Sequence, residues 1–237
     1  EFAYRLPRDF APGKIKAIMV LFGGRNWNSE ATLKRIDFTA MADRNQLILL
    51  APGFKDDDYW QPEKWSGRAL EQAVSQLEKK YCLAGPPLIY YGYSAGGQCA
   101  NLFYLWRPER VMAWGVHACG IWGNFKHISR PVPMLVTCGV DDAGRLELSR
   151  RFVQQTGELG WSRLWAELPG GHELSPDAVE LAQAFFSAIL CREEKVFWGD
   201  DQNGKIEQRP EKIDSELRSY LPGQTVMMQW QKLMRPR

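Results

Sequence analysis

The chain has 237 residues, of which 45% are hydrophobic, 24% charged and 12% aromatic, a globular composition that excludes disordered, collagen-like and coiled-coil readings. The length suits one large domain, or one domain with a modest extension, and is ample for a buried core. With 30 Lys and Arg against 28 Asp and Glu, the net charge of +2 gives no electrostatic ground for nucleic acid or an anionic membrane as partner.

The pattern of apolar runs predicts a regular alternation of strands and helices. Phe2–Pro7 reads as the tail of a strand whose partner would lie upstream. Ala17–Phe22 is a buried strand ending at Gly23-Gly24, and it is far short of the roughly 18 residues of a membrane span. Ser29 to about Arg44 has helical spacing through Leu33, Ile36, Phe38 and Met41, with Asn28 or Ser29 as N-cap. Gln46–Ala51 is a strand stopped by Pro52-Gly53, and a polar, aromatic loop from Lys55 to Trp65 leads into a helix ending near Tyr81. Pro87–Tyr91 is a strand, Ala95–Trp106 a helix, and Val111–His117, Pro133–Cys138 and Arg163–Leu168 are further strands. Helices over Leu146–Leu159 and Pro176–Leu190 complete the set. Near-continuous apolar strands alternating with helices predict an α/β fold, a three-layer α/β/α sandwich around a mostly parallel sheet.

The composition shifts after Cys191, which divides the chain into a main domain, 1–191, and an appendage, 192–237, packed on it. Val196–Trp198 and Lys205–Glu207 flank an Asn203-Gly204 hairpin turn, Ile213–Leu221 reads as a helix stopped by Pro222-Gly223, and Val226–Leu233 is amphipathic. An EF-hand reading of the hairpin fails, because Gly204 at the sixth loop position puts Gly199 first and Pro210 twelfth. Five cysteines with no CxxC predict reduced, structural thiols rather than a zinc or redox site. The run Asp56-Asp57-Asp58 reads as a solvated loop, so no metal is expected. The chain opens on Glu1 with no signal pattern, so the expectation is a processed or trimmed chain from which any export signal is already gone.

Gly92-Tyr93-Ser94-Ala95-Gly96 carries the chemistry. Alone the G-x-S-x-G pattern is weak, and a glycine-rich β–α turn with an incidental serine would share it. Its context is specific: a strand feeds into it and a helix leaves from it. Such a turn strains the serine backbone and needs side-chain-free neighbours at Gly92 and Gly96. The hydroxyl then stands at a helix N-terminus, where backbone N–H groups favour negative charge. A serine nucleophile needs a base, and His172, in the Gly170-Gly171 loop after the last main-domain strand, is the best of three histidines. His117 at a strand end reads as a core or pocket-floor residue and His127 as solvent-facing. The imidazole needs an acceptor, supplied by Asp142 or its neighbour Asp141 after Pro133–Cys138. Asp142 is preferred because it sits further past the strand end, leaving Asp141 to cap the next helix. The order Ser94, Asp142, His172, each on a loop after a strand, is more specific than any single motif. Gly23-Gly24-Arg25 after the first core strand offers a backbone donor to meet the N–H of Ala95 as an anion site, though a simple tight turn has the same sequence.

Phe22-Gly-Gly24, Gly92-Tyr-Ser-Ala-Gly96, Gly139-Val-Asp-Asp142 and Gly171-His172 together resemble the α/β-hydrolase superfamily, nearest to small esterases of the polyhydroxybutyrate-depolymerase and feruloyl-esterase-like type, over roughly Ala17 to Leu190. The resemblance implies Ser94 as nucleophile, His172 as general base and acid, Asp142 as its orienter, and an oxyanion hole from Ala95 with Gly24 or Arg25. It implies no cofactor. The His-Gly pair usual after the first core strand is Phe22-Gly23 here, and the segment from Arg192 onward has no counterpart in the resemblance. Loop aromatics suggest a rim for a sugar or phenolic ester, with Asn26, Trp27, Trp60, Tyr93 and Trp122 as candidate substrate-binding residues; tryptophans serve equally as packing. The expected activity is carboxylic ester hydrolysis on a small-molecule substrate. A serine peptidase on the same scaffold and a non-catalytic binding protein that kept the fold are the alternatives.

Overall fold

Strand and helix alternate along the chain as the apolar pattern predicts, in a computed structural model that describes residues 1–56 and 58–234. Contacts divide the chain into two units, Glu1–Val116 with Trp122–Ile128, and His117–Ile121 with the chain from Ser129 onward.

The first unit runs β1 (Phe2–Arg5), β2 (Ala17–Phe22), α1 (Ser29–Arg35), α2 (Thr39–Asn45), β3 (Leu47–Pro52), α3 (Gly67–Tyr81), β4 (Leu88–Tyr93), α4 (Ala95–Trp106) and β5 (Val111–His117), in the strand order β1-β3-β2-β4-β5. β2 lies parallel to both β3 and β4, and every residue of these three strands is buried, which is why they read as unbroken apolar runs. β1 pairs antiparallel with β3, so its partner follows it in the chain instead of preceding it. The expected helix from Ser29 to Arg44 is two. Asn28 caps α1 through Oδ1, 2.7 Å from the Ala31 N–H, and the Asp37 carboxylate accepts the Thr39 N–H at 2.9 Å to start α2. In α3, Leu70, Val74 and Leu77 form the buried stripe, and Cys82 ends it in the left-handed region.

The second unit runs β6 (Met134–Gly139), α5 (Ala143–Glu158), β7 (Arg163–Leu168), α6 (Pro176–Cys191), β8 (Val196–Asp200), β9 (Ile206–Glu207), β10 (Arg218–Pro222) and α7 (Gly223–Met234). β6 and β7 are parallel, with Gly139 opposite Leu168. β8, β9 and β10 make a small antiparallel sheet in the order β10-β8-β9, the β8–β9 pair being the Asn-Gly hairpin. The helix expected over 213–221 is instead a turn at Ser215–Leu217 followed by β10. Ser219 and Leu221 are buried while Arg218 and Tyr220 are half-exposed, the two-residue period of a strand. Pro222-Gly223, expected to stop a helix, leads into α7. No disulfide joins the cysteines among the described residues; Cys99, Cys119 and Cys138 are buried, Cys82 and Cys191 exposed. No helix among the described residues is long and apolar enough to cross a membrane.

Candidate active site

The β2–β4 register sets Phe22 opposite Gly92, so the Gly23-Gly24 turn leaves its strand beside the β4–α4 junction. Ser94 sits at that junction with φ 56° and ψ −119°, a conformation that L-residues avoid. The surroundings leave it little alternative. A Cβ on Gly92 would collide with the Gly96 carbonyl, and one on Gly96 with the Phe22 carbonyl, so only glycine at both positions lets strand and helix approach this closely. The Ser94 carbonyl accepts the N–H groups of Gly97 at 2.9 Å and Gln98 at 3.2 Å. Ala95, the first helical residue, carries one of the first-turn N–H groups that helix geometry leaves without an intrahelical acceptor.

In the second unit, register again does the positioning. With Gly139 and Leu168 paired, the two outgoing loops stay bonded: Val140 N–H to Leu168 O at 2.8 Å, and Asp141 N–H to Gly170 O at 2.9 Å. This brings Asp142 to His172, whose Nδ1 lies 2.7 Å from Oδ2. Because the carboxylate only accepts, Nδ1–H donates and Nε2 carries the ring's lone pair. Asp142 is buried while Asp141 is exposed. Asp142, not Asp141, holds the N-cap position of α5, but its carboxylate makes no cap bond and turns to the imidazole instead.

Two further residues support this pair, Arg145, which the sequence reading missed, and His117, which it placed in the core or on a pocket floor. Arg145, one turn into α5, places Nη1 3.1 Å from Asp142 Oδ1, so both carboxylate oxygens are engaged. The i, i+3 spacing from Asp142 was the available signal. His117 is wholly buried, with Nε2 2.8 Å from the carbonyl of Glu173, next in chain to His172, and Nδ1 2.9 Å from Thr137 Oγ1. Nε2–H therefore donates to the carbonyl, and Nδ1 accepts from the hydroxyl. Burial is the main cause that holds the His117 pKa down at about 4, so the ring is neutral at ordinary pH. The expected core or pocket-floor histidine is thus an anchor for the loop that carries His172. His127 is exposed, with Nε2 3.0 Å from the Leu105 carbonyl.

The remaining candidates fall in the first unit. Gly24 is buried, and Arg25 and Asn26 are exposed, Asn26 with φ 62°. Trp27 packs on Tyr93 at 5.6 Å, with the Arg35 guanidinium 4.5 Å from its ring centroid. Trp60 meets Tyr59 edge-on at 5.1 Å. Trp122 is half-buried in a loop whose Gly123 N–H bonds Asn101 Oδ1 at 3.0 Å; Asn101 is itself held by the Gly97 and Gln98 carbonyls of α4. In the acidic run Asp57 lies outside the described residues, and Asp58 is bonded by Gln61 and Lys64.

No protein-family model matches the sequence, nor does any curated sequence relative. Solved structures do match. Esterase PE8 is 19% identical over 79% of this chain and 97% of its own, with a TM-score of 0.63. LpqC, a poly(3-hydroxybutyrate) depolymerase from Bordetella parapertussis, is 16% identical over 81% and 87%, with a TM-score of 0.59. A ferulic acid esterase is 16% identical over 80% and 90%, with a TM-score of 0.60. The chain has the α/β-hydrolase fold. Within that fold the strained serine after β4, the acid after β6 and the histidine after β7 are the three positions that the sequence motifs single out.

Proposed function

We propose that this α/β-hydrolase is a serine hydrolase that cleaves carboxylic esters through an acyl-enzyme. The observation that carries the reading is the Ser94 backbone, a strained conformation that glycines on both sides over-determine and that a merely structural turn does not require. The hydrogen bond that orients His172 on the buried Asp142 carboxylate supports it, as does the likeness of the fold to enzymes described as esterases.

In this reading Ser94 Oγ attacks the ester carbonyl while His172 Nε2 takes its proton. The carbonyl oxygen becomes an oxyanion facing the N–H of Ala95 and that of Gly24 or Arg25, each donor lowering the barrier by about 3 kcal/mol. Collapse of the tetrahedral intermediate breaks the bond to the alkoxy oxygen, and His172 returns its proton to the departing alcohol. Water then repeats the sequence: it loses a proton to His172, adds to the acyl carbon and displaces Ser94, which recovers the proton. Asp142 stays ionised throughout and holds the imidazole in the tautomer that leaves Nε2 basic. No step calls for a cofactor, and the substrate is a small-molecule ester.

The test is labelling with a fluorophosphonate, followed by turnover of short p-nitrophenyl esters, on the parent and on Ser94→Ala. The expected result is labelling and turnover in the parent, with both lost in the variant. A folded parent that takes no label overturns the reading.

A further inference from the structure

A small cavity lies under the Gly23-Gly24 turn. It measures about 10 Å3, the space of roughly one water molecule or methyl group, and Phe22, Trp27, Phe54, Tyr59 and Cys99 line it together with the two glycines. We infer that this cavity is the acyl pocket and that it is sized for an acetyl group, so that the esters cleaved are acetyl esters. The inference rests on the serine-hydrolase reading of Ser94 and gives it a substrate class.

The place in the fold is the first argument. Gly24 is a candidate oxyanion donor, and a Cβ there would stand 3.3 Å from the ring of Tyr93, the residue before Ser94. Cys99 is one helical turn beyond Ala95 on the same face of α4. The cavity is thus bounded by the turn and the helix that would hold the scissile carbonyl. A small, ring-walled recess suits the acyl substituent, which stays on the enzyme between the two half-reactions. The alcohol has to leave after the first and needs an open path.

The second argument is that the walls are fixed. Phe54 is 6% exposed and packs against Phe2, Tyr59, Trp65 and Phe103, with ring centroids 5.3–6.1 Å away. Trp27 is pinned between Tyr93 and the Arg35 guanidinium. Tyr59 is 3% exposed and its hydroxyl bonds to the Asn26 backbone. Rings packed this way do not swing aside for a longer chain at small cost, because interiors are close-packed and added methylenes force displaced neighbours. Among the described residues no ionised side chain lines the cavity, so a charged acyl group would lose its hydration there without a partner from them. A phenylpropenoyl acyl group is excluded by size. The alcohol, sugar or phenol, is not constrained by this pocket.

The experiment is an acyl-length series, p-nitrophenyl acetate, butyrate and octanoate, compared by kcat/KM with the parent, Trp27→Ala and Cys99→Ala. The parent is expected to prefer acetate over butyrate by at least about tenfold, since misfit of one or two methylenes is worth roughly 10- to 200-fold. Trp27→Ala removes one wall and is expected to raise the butyrate-to-acetate ratio by about tenfold. Cys99→Ala deepens the pocket with a good helix former and raises the same ratio by a smaller factor, so the argument survives a Trp27 variant that fails to fold. A parent that labels with fluorophosphonate yet cleaves butyrate or octanoate as well as acetate overturns the inference and leaves the serine-hydrolase reading standing. Folded variants with unchanged ratios also overturn it. A parent that neither labels nor turns over any ester brings down both.

Discussion

Acid is expected to loosen the loop that carries His172, and His117 is the group through which it acts. The ring is fully buried between the Thr137 hydroxyl and the Glu173 carbonyl, and its folded-state pKa is about 4 against an ordinary value of 6.5. Burial is the first cause. The acceptor Glu173 opposes it and the nearby His172 reinforces it, while Asp142 and Thr137 oppose it more weakly. The folded-state pKa of a base is depressed here, so the unfolded chain binds more protons between the two values. The contribution is fully present above pH 6.5 and is lost as the pH falls from there towards 4. Linkage gives a loss of about 1 kcal/mol at pH 5.5 and about 2 kcal/mol at pH 5, relative to pH 7.5. The parent alone hides much of this. Asp201 is held up at about 6, by burial first, against an ordinary 3.8, so it gains stability over nearly the same window, about 1 kcal/mol at pH 5. The assay is therefore a difference. Urea unfolding of the parent and of His117→Asn is measured at pH 7.5, 6.5, 5.5 and 5. At pH 7.5 the variant is less stable by about 2 kcal/mol, because buried hydrogen-bond partners are left unpaired. That deficit is expected to shrink by about 2 kcal/mol by pH 5. A deficit that stays constant with pH would refute the assignment of His117 as a neutral, buried anchor.

The same experiment on Asp201→Asn runs the other way: the parent's advantage grows by about 1 kcal/mol between pH 7 and pH 5. Asp142→Asn, measured as kcat on p-nitrophenyl acetate, is expected to lose about 10⁴-fold with the fold intact, because the amide cannot hold the Nδ1–H tautomer. Gly96→Ala drives a methyl into the Phe22 carbonyl; fluorophosphonate labelling should fall with the elbow geometry, and full labelling in a folded variant speaks against the strained serine as nucleophile. Ser219→Ala leaves the Trp165 N–H without its acceptor and should cost about 1–3 kcal/mol in urea unfolding.

What the sequence made legible follows the range of the interactions involved. β2, β3, β4, β6 and β7 are buried throughout or nearly so, and apolar runs report that directly. The strained turn at Ser94 was readable because its glycines are demanded by local sterics. Pairings made by distant segments were not readable. Nothing in Phe2–Arg5 distinguishes a partner upstream from one at Leu47–Pro52, since both complete the same hydrogen bonds. Ile213–Leu221 carries apolar residues at helical spacing, and only the β8 neighbour, which pairs Arg218 through Pro222, decides for a strand. His117 and Glu173 are 56 residues apart, so the anchoring of the base loop has no signature in either segment. Phe54 and Cys99 as pocket walls were hidden for the same reason, each looking like ordinary core.

The residues after Cys191 gain a purpose from the strand they touch. β7 pairs with β6 along one edge, and along the other its backbone is completed by side chains: Trp165 N–H donates to Ser219 Oγ at 2.9 Å, and Trp165 O accepts from Trp230 Nε1 at 2.6 Å. Arg163, wholly buried at the start of β7, reaches the Asp201 carboxylate and the Glu216 carbonyl. A bare β7 edge would present unpaired N–H and C=O groups, the template for aggregation. Ser219 and Trp230 supply what a further strand would, and they do so without extending the sheet, because β10 gives its own backbone to β8. Leu168, the last residue of β7, is four positions before His172. The segment therefore secures the strand from which the His172 loop departs. Removing it at Cys191 is not a neutral truncation: it uncovers the β7 edge and strips Arg163 of the Asp201 carboxylate and the Glu216 carbonyl.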